Sequence, residues 1–294
     1  MGHDHSPSHS PSHTHIDFAE MLPMLVQEAE LFSPLYAQAA EWLREAQPEP
    51  GLIVDAGSGP GVISCLLADA FPAARVIAVD GSEPLLEKAR ERAAQRGIAD
   101  RFSTLEAELG DGLGDLEYPV DLLWASRSLH HVGDQRGALT GFAERLAPGG
   151  TLALLEGGLP PRYLPRDFGI GRPGLHSRMD AVEQEWFARM RAELPDAVVE
   201  EVEDWPALLT AVGLRHTRTR TFLLDIPAPV SDAGRAFVAT ALAHRRDGLA
   251  EGLDAEDRAT LDRLLDPDDK ASVFQRPDVF VLTALTVYVG VKQP

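Results

Sequence analysis

The chain has 294 residues, a formal net charge of -19 at pH 7 and 44% apolar residues, enough for one enlarged domain with a substantial core. The negative charge disfavours nucleic acids as substrates, because binding a phosphate backbone requires clustered cations. The single cysteine, Cys65, excludes an internal disulfide and is expected in the core. No apolar run is long enough to cross a membrane and no secretion signal is visible, so we expect a cytoplasmic protein.

The first 15 residues hold five of the ten histidines, among serines and prolines. Serine and proline cannot bury a core, so we predict a disordered tail over residues 1–15. Neutral imidazoles at this spacing could also chelate Zn²⁺ or Ni²⁺, and this alternative stays open. The candidate chelators are His3, His5, His13 and His15, and the sequence indicates no other metal site.

Two helices are predicted over residues 16–47. Apolar residues recur at helical spacing through the first helix, and Pro23 is expected to break or kink it. A Ser-Pro pair at 33–34 starts the second helix, which carries Tyr36. These helices precede the first strand of a sheet.

The segment from Gly51 to Ser64 combines a buried strand, a glycine-rich turn and a helix start. Gly57, Gly59 and Gly61 leave main-chain amides open to a ligand, and the next helix directs its positive end at them. The dinucleotide pattern fits only imperfectly, with Ser64 in place of its third glycine. A dinucleotide-binding site therefore stays open as an alternative.

Two acids end the first and second strands, Asp55 and Asp80, and Asp80 lies near the spacing at which an acid reaches a ribose diol. The pattern Asp-x-Gly-x-Gly-x-Gly from Asp55 to Gly61 resembles the first motif of the class I S-adenosylmethionine-dependent methyltransferases. This resemblance implies a Rossmann-like α/β fold: a doubly wound, mostly parallel seven-stranded sheet with an antiparallel last strand, N-terminal helices and helical insertions. It implies S-adenosyl-L-methionine as the cofactor.

Later segments extend the resemblance. The third strand ends near Glu106 and Glu108, of which Glu108 is preferred for reading the adenine edge. Residues 126–134 resemble the family's loop after the fourth strand, and residues 146–152 resemble its turn into the fifth. The motif positions and residues next to them are the cofactor-binding candidates that the resemblance implies: Asp55, Gly57, Ser58, Gly59, Gly61, Asp80, Gly81, Glu108 and Ser126.

The acceptor side is expected at the loop after the fourth strand, which carries His130 and His131. Either histidine could be a general base for a hydroxyl acceptor, or could simply pack within the loop. A Gly- and Pro-rich segment after Glu156 carries four arginines and one acid in an otherwise acidic chain. These arginines are candidates for holding a carboxylate or phosphate, with solvated or structural roles as the alternative. The substrate-binding candidates are Tyr36, Arg127, Arg162, Arg166 and His176.

The predicted organisation is a tail over 1–15, cap helices over 16–47 and a methyltransferase domain over 48–294. Insertions are expected at about 157–204 and 227–275, and the cap helices either cover the acceptor pocket or pack as an outer layer. The resemblance implies direct in-line methyl transfer to a small metabolite, and the arginines after Glu156 make an anionic one a candidate. An NAD(P)-dependent oxidoreductase and a cofactor-binding relative without methyl transfer are the alternatives. The methylated atom and the oligomeric state stay open.

Overall fold

The computed structural model describes residues 21–47, 49–109, 113, 116, 119–194 and 201–294. Its strands form one seven-stranded sheet in which β1 to β5 run parallel and β7 runs antiparallel to both of its neighbours, β5 and β6. The predicted fold class is therefore confirmed. The strands are β1 Leu52–Ala56, β2 Arg75–Asp80, β3 Phe102–Glu106, β4 Val120–Ser126, β5 Leu146–Arg162, β6 Leu214–Ile226 and β7 Val281–Lys292.

The order across the sheet is β3-β2-β1-β4-β5-β7-β6. From β1 the chain moves outward to β3 and then returns to place β4 on the other side of β1. The connections after β1 and β4 therefore diverge, and open α/β sheets bind ligands in the crevice at such a point. The glycine turn after β1 and the histidine loop after β4 meet at this crevice.

Nine α-helices lie within the described residues. Helix α1 contributes no fully buried side chain, whereas α2 buries six and packs against α3. The helices are α1 Leu22–Leu31, α2 Ser33–Arg44, α3 Val62–Ala70, α4 Glu83–Gln95, α5 Gln135–Arg145, α6 Leu175–Ala192, α7 Trp205–Ala211, α8 Asp232–Gly248 and α9 Ala255–Leu265.

The sheet has a core on each face because its central strands are buried on both sides. All five side chains of β1 are buried, and they alternate between the two cores. Ile53 belongs to the core that includes residues of α2, α3, α6, α8 and α9, whereas Val54 belongs to the core that includes residues of α5 and α7. The two predicted insertions thus contribute to the same core as the cap helix α2.

Local details bear on the sequence predictions. Helix α1 begins at Leu22 with Pro23 in its first turn, where no N–H is required, so the proline lies at the start of the helix and does not kink it. The predicted loop from residue 157 is wrong for residues 157–162, because they extend β5 and pair with β7, Arg162 lying opposite Leu282. Ser82 is the N-terminal cap residue of α4, although its side chain makes no capping bond. In the part of the chain that is described, no helix is long and apolar enough to span a membrane.

Candidate active site

The turn after β1 is built by three glycines with positive φ, +77° at Gly57, +53° at Gly59 and +72° at Gly61. The turn is held to β2 because Val79 O accepts hydrogen bonds from the N–H groups of residues 57 and 58, at 2.8 and 2.9 Å. A Cβ on Gly61 would lie 2.5 Å from Ala89 Cβ, whereas a Cβ on Gly59 would have no neighbour within 4 Å. Gly61 therefore permits α3 to pack on α4, and Gly59 faces open space.

Asp55 places a buried carboxylate beneath this turn. Its Oδ2 accepts a 2.5 Å hydrogen bond from the Ser64 hydroxyl, while its Oδ1 is buried without a hydrogen-bond partner among the described residues. Burial raises the Asp55 pKa to about 7, the Ser64 bond opposes that rise and the charge of Asp80 adds to it. An unpartnered buried carboxylate oxygen is costly in isolation and suits a cationic ligand group.

Asp80 lies on the other side of the turn. Its Oδ2 accepts from Gly59 N at 2.9 Å and its Oδ1 from Ser82 N at 3.0 Å. Burial raises its pKa, and these two amides oppose the rise. Each carboxylate oxygen has a second lone pair, so the amides orient the group without exhausting its capacity to accept hydroxyl protons.

Glu108 lies against Gly81, the residue that follows Asp80. Its Oε1 lies 2.6 Å from the position that a Cβ on Gly81 would take, so only glycine fits there without a shift. Glu106 lies opposite Asp80 in the β2–β3 ladder and is exposed, as Glu108 is. Of these two acids, Glu108 is the one that lies against Gly81.

The loop after β4 is fixed by Glu156, a buried residue of β5. Glu156 Oε1 accepts from the N–H groups of Ser128 and Leu129, both at 2.9 Å, and its Oε2 lies 2.9 Å from Nδ1 of His130. The His130 side chain remains 23% exposed, against 4% for Glu156. A carboxylate that orients one ring nitrogen leaves the other available for proton transfer.

His131 lies against His130, with 4.1 Å between the ring centroids. Burial and the charges of His130, Arg127 and Arg191 lower the His131 pKa to about 3. So weak a base is poorly suited to proton abstraction near neutral pH. Of the two predicted catalytic histidines, the geometry favours His130.

Arg127 is the first residue after β4 and reaches back to the cap helices. Its guanidinium lies 2.7 Å from Glu28 of α1 and close to the hydroxyl of Tyr36, to which Ser126 is also close. Tyr36 is buried at 4% exposure, and burial raises its pKa. The structure thus brings three of the predicted site residues, Tyr36, Ser126 and Arg127, into one cluster.

The arginines of the segment after Glu156 are mostly paired with acids. Arg162 lies 2.6 Å from Asp180, and Arg172 and Arg178 both contact the buried Asp257. Arg166 is exposed and has no ion pair among the described residues. Three of the four charges are therefore compensated within the protein, which favours structural roles for those side chains.

His176 is buried and its Nε2 accepts a 3.3 Å hydrogen bond from the main-chain N–H of Tyr163. An accepting nitrogen must be unprotonated, and burial together with Arg245 and Arg162 lowers the His176 pKa to about 4. This geometry favours a packing role for His176 over contact with a substrate.

Three site residues were not predicted from the sequence: Glu28, Ser64 and Glu156. Ser64 had been considered only as a substitute for glycine, yet its hydroxyl is the partner of Asp55. Glu28 and Glu156 are two of 46 acidic residues and belong to no motif. The predicted chelators of the tail, His3, His5, His13 and His15, lie outside the described residues, and the residues that are described contain no group of side chains suited to a metal ion.

The order of the strands, the glycine turn and the two strand-end acids define a nucleotide-type α/β site. A family model described as a methyltransferase domain matches residues 53–150. Trans-aconitate 2-methyltransferase of Streptomyces coelicolor is 31% identical over 242 residues, covering 82% of this chain and 73% of that protein. The tRNA 5-carboxymethoxyuridine methyltransferase of Escherichia coli K12 is 31% identical over 113 residues, covering 38% of this chain and 42% of that protein.

A solved structure from Bacillus halodurans, a methyltransferase candidate, aligns with a TM-score of 0.53 at 13% identity, covering 87% of this chain and 99% of that one. At such low identity the alignment shows a shared fold. Together with the sequence match to the Streptomyces protein, it identifies the family. The chain belongs to the class I S-adenosylmethionine-dependent methyltransferases and is an enzyme of that class.

Proposed function

We propose that the protein methylates a carboxylate oxygen of a small organic acid, with S-adenosylmethionine as the methyl donor. The observation that carries the donor is the unpartnered Oδ1 of buried Asp55 beside an open glycine turn. An ammonium group fits this oxygen, and a ribose diol fits the remaining lone pairs of Asp80. Glu108, which lies against Gly81, would meet the adenine edge, and the open space at Gly59 supports a ligand that lies on the main chain.

The acceptor class is supported by two independent facts. The relative that aligns over most of its own length is named for trans-aconitate, an organic acid. At the crevice of this chain, Arg127 supplies a partly exposed guanidinium, the side chain best suited to a carboxylate. An anionic small molecule also agrees with a protein whose net charge of -19 disfavours a nucleic acid.

When bound, the donor supplies a methyl group on a sulfonium, which leaves with the sulfur keeping the bonding electron pair. A carboxylate is already ionised at neutral pH, so this acceptor requires no general base. The protein's contribution is then to align the acceptor oxygen with the methyl carbon and to exclude water. The products are a methyl ester and S-adenosylhomocysteine.

A hydroxyl acceptor is a second candidate, because Glu156 orients His130 as a base would be oriented. Isotopically labelled S-adenosylmethionine should be incubated with the protein and a panel of small acids, their amides and hydroxy analogues. Methyl esters release the label as methanol in mild alkali, whereas methyl ethers retain it. Label that is confined to alkali-stable products would favour the hydroxyl acceptor, and an absence of transfer to any acid would refute the proposal.

A further inference from the structure

Arg127 adopts a backbone conformation that is rare for its residue type. Its φ is +51°, in the left-handed region that disfavours every residue with a Cβ. The conformation is held by a 2.9 Å hydrogen bond from Arg127 N to Leu155 O and by the bond from Ser128 N to Glu156. Strain of about 1–3 kcal/mol of this kind is concentrated at functional sites, where the surrounding structure enforces it.

The strained backbone places this loop against the glycine turn. A Cβ on Gly57 would lie 2.8 Å from Ser128 Cβ, so the residue that follows Arg127 lies directly on the first glycine. Arg127 is thus the first residue of a loop that faces the glycine turn, which is the donor side of the crevice. A ligand that is held by its guanidinium would lie near that turn.

The guanidinium has one neutral partner and one charged partner among the described residues. The neutral partner is the nearby hydroxyl of Tyr36, a buried side chain that also lies close to Ser126. The charged partner is the carboxylate of Glu28, at 2.7 Å. The Arg127 side chain is 41% exposed and that of Glu28 is 20% exposed, so solvent or solutes can reach the pair.

Glu28 is held by a loosely packed helix. None of the side chains of α1 is fully buried, in contrast to α2, which places Tyr36, Leu35 and Leu43 in the core. Ion pairs with this exposure contribute only about 0–1 kcal/mol. A carboxylate of a ligand that forms two parallel bonds with a guanidinium can replace such a partner.

We propose that Arg127, with Tyr36 beside it, holds a carboxylate of the acceptor, and that Glu28 occupies this position until the acceptor replaces it. The inference rests on the proposed function and adds the residue that recognises the acid and the internal group that competes with it. The competition makes a distinctive prediction. Removal of the charge of Glu28 strengthens acid binding, whereas removal of the charge of Arg127 weakens it.

Calorimetric titration of trans-aconitate, in the presence of S-adenosylhomocysteine, measures this competition without requiring turnover. Glu28→Gln is expected to lower the Kd for the acid by about 2- to 5-fold. Arg127→Gln is expected to raise this Kd by at least about 10-fold. Arg127→Lys should raise it by less, because lysine keeps the positive charge but cannot form two parallel hydrogen bonds with a carboxylate. The Kd for S-adenosylhomocysteine should stay unchanged in all three variants.

Glu30→Gln is the matched control, because Glu30 lies on the same helix and pairs with Arg92 instead. It should bind the acid like the wild type. A Glu28→Gln variant that binds the acid as weakly as Arg127→Gln would overturn the exchange, since Glu28 would then only support Arg127. Unchanged acid binding in Arg127→Gln would overturn the assignment, while ester formation by the wild type would keep the proposed function. If the wild type neither binds nor methylates any acid, the proposed function fails, and this inference fails with it.

Discussion

Glu156 Oε2 lies 2.9 Å from Nδ1 of His130, while the Oε1 of the same carboxylate accepts from two main-chain N–H groups of the loop after β4. One buried acid in β5 therefore fixes both the backbone of this loop and the ring that the loop carries. Because an ionised carboxylate only accepts, it favours the tautomer of the neutral imidazole that carries its proton on Nδ1.

Glu156→Gln should loosen this loop, because the amide presents one acceptor and one donor to three N–H groups. We expect a loss of about 1–3 kcal/mol in the free energy of unfolding. Chemical denaturation measures that loss, and the nitrogen chemical shifts of His130 report its tautomer. Glu144→Gln changes an exposed acid of α5 and should leave both quantities unchanged. A Glu156→Gln protein with wild-type stability and an unaltered tautomer would contradict the role of the carboxylate.

Donor binding should depend on pH through Asp55. Its folded-state pKa of about 7 lies above the ordinary value of 3.8, so the free site takes up a proton as the pH falls through 7. An ammonium partner requires the ionised form, so affinity should be full above pH 7 and fall by about tenfold per unit below it. Titration of S-adenosylhomocysteine from about pH 5.5 to about pH 8.5 spans roughly 1.5 units on each side of this pKa and measures the pH dependence of the affinity.

Asp55→Asn should bind weakly at every pH and lose the dependence. The same variant should gain stability relative to the wild type as the pH rises from 4 to 7, roughly the interval between the unfolded and folded pKa values, because ionisation of the buried Asp55 destabilises the free protein. A wild-type affinity that is constant from pH 5.5 to 8.5, about 1.5 units to each side of 7, would show that Asp55 does not face the ammonium.

Three glycine substitutions should separate packing from binding. Gly61→Ala should destabilise the protein strongly, because the new Cβ would lie 2.5 Å from Ala89 Cβ. Gly59→Ala and Gly97→Ala both place a Cβ at positive φ with no neighbour within 4 Å, so each should cost about 1 kcal/mol of stability. Donor binding should weaken in Gly59→Ala and stay unchanged in Gly97→Ala, which lies at the end of α4. Equal affinities in these two variants would place the donor away from Gly59.

The arginine cluster around Asp257 should prove structural. Asp257 is buried and is held by Arg172 and Arg178, so Asp257→Ala leaves two cations without their shared partner. Because both arginines are partly exposed, we expect a loss of about 2–3 kcal/mol in stability, with the Kd for donor and acceptor unchanged. Denaturation and calorimetry measure the two effects. A variant that keeps its stability but loses acceptor binding would return these arginines to the acceptor site.

The sequence was most informative where structure is determined locally. The Asp55-to-Gly61 turn could be predicted because the strand, the glycines and the start of the helix are consecutive in the chain. Glycine permits the positive φ angles of the turn, and the helix start presents free N–H groups to a ligand. The extension of β5 could not, because Gly157 to Arg162 become a strand only by pairing with β7 near residue 283, far along the chain. The same applies to Arg172, whose acidic partners lie in α9 and at its N-terminal cap. Spacing carries no information about such distant partners.

The two sides of the crevice are contributed by different stretches of the chain. The donor side is made by residues 52–109, whereas the cluster at Arg127 draws Glu28 and Tyr36 from the helices that precede the first strand. Under the proposed function, an exchange of the segment before β1 between related enzymes would alter which acid is selected and leave the donor in place. Selection acting on substrate range can thus operate on a short amino-terminal segment while the chemistry is inherited intact.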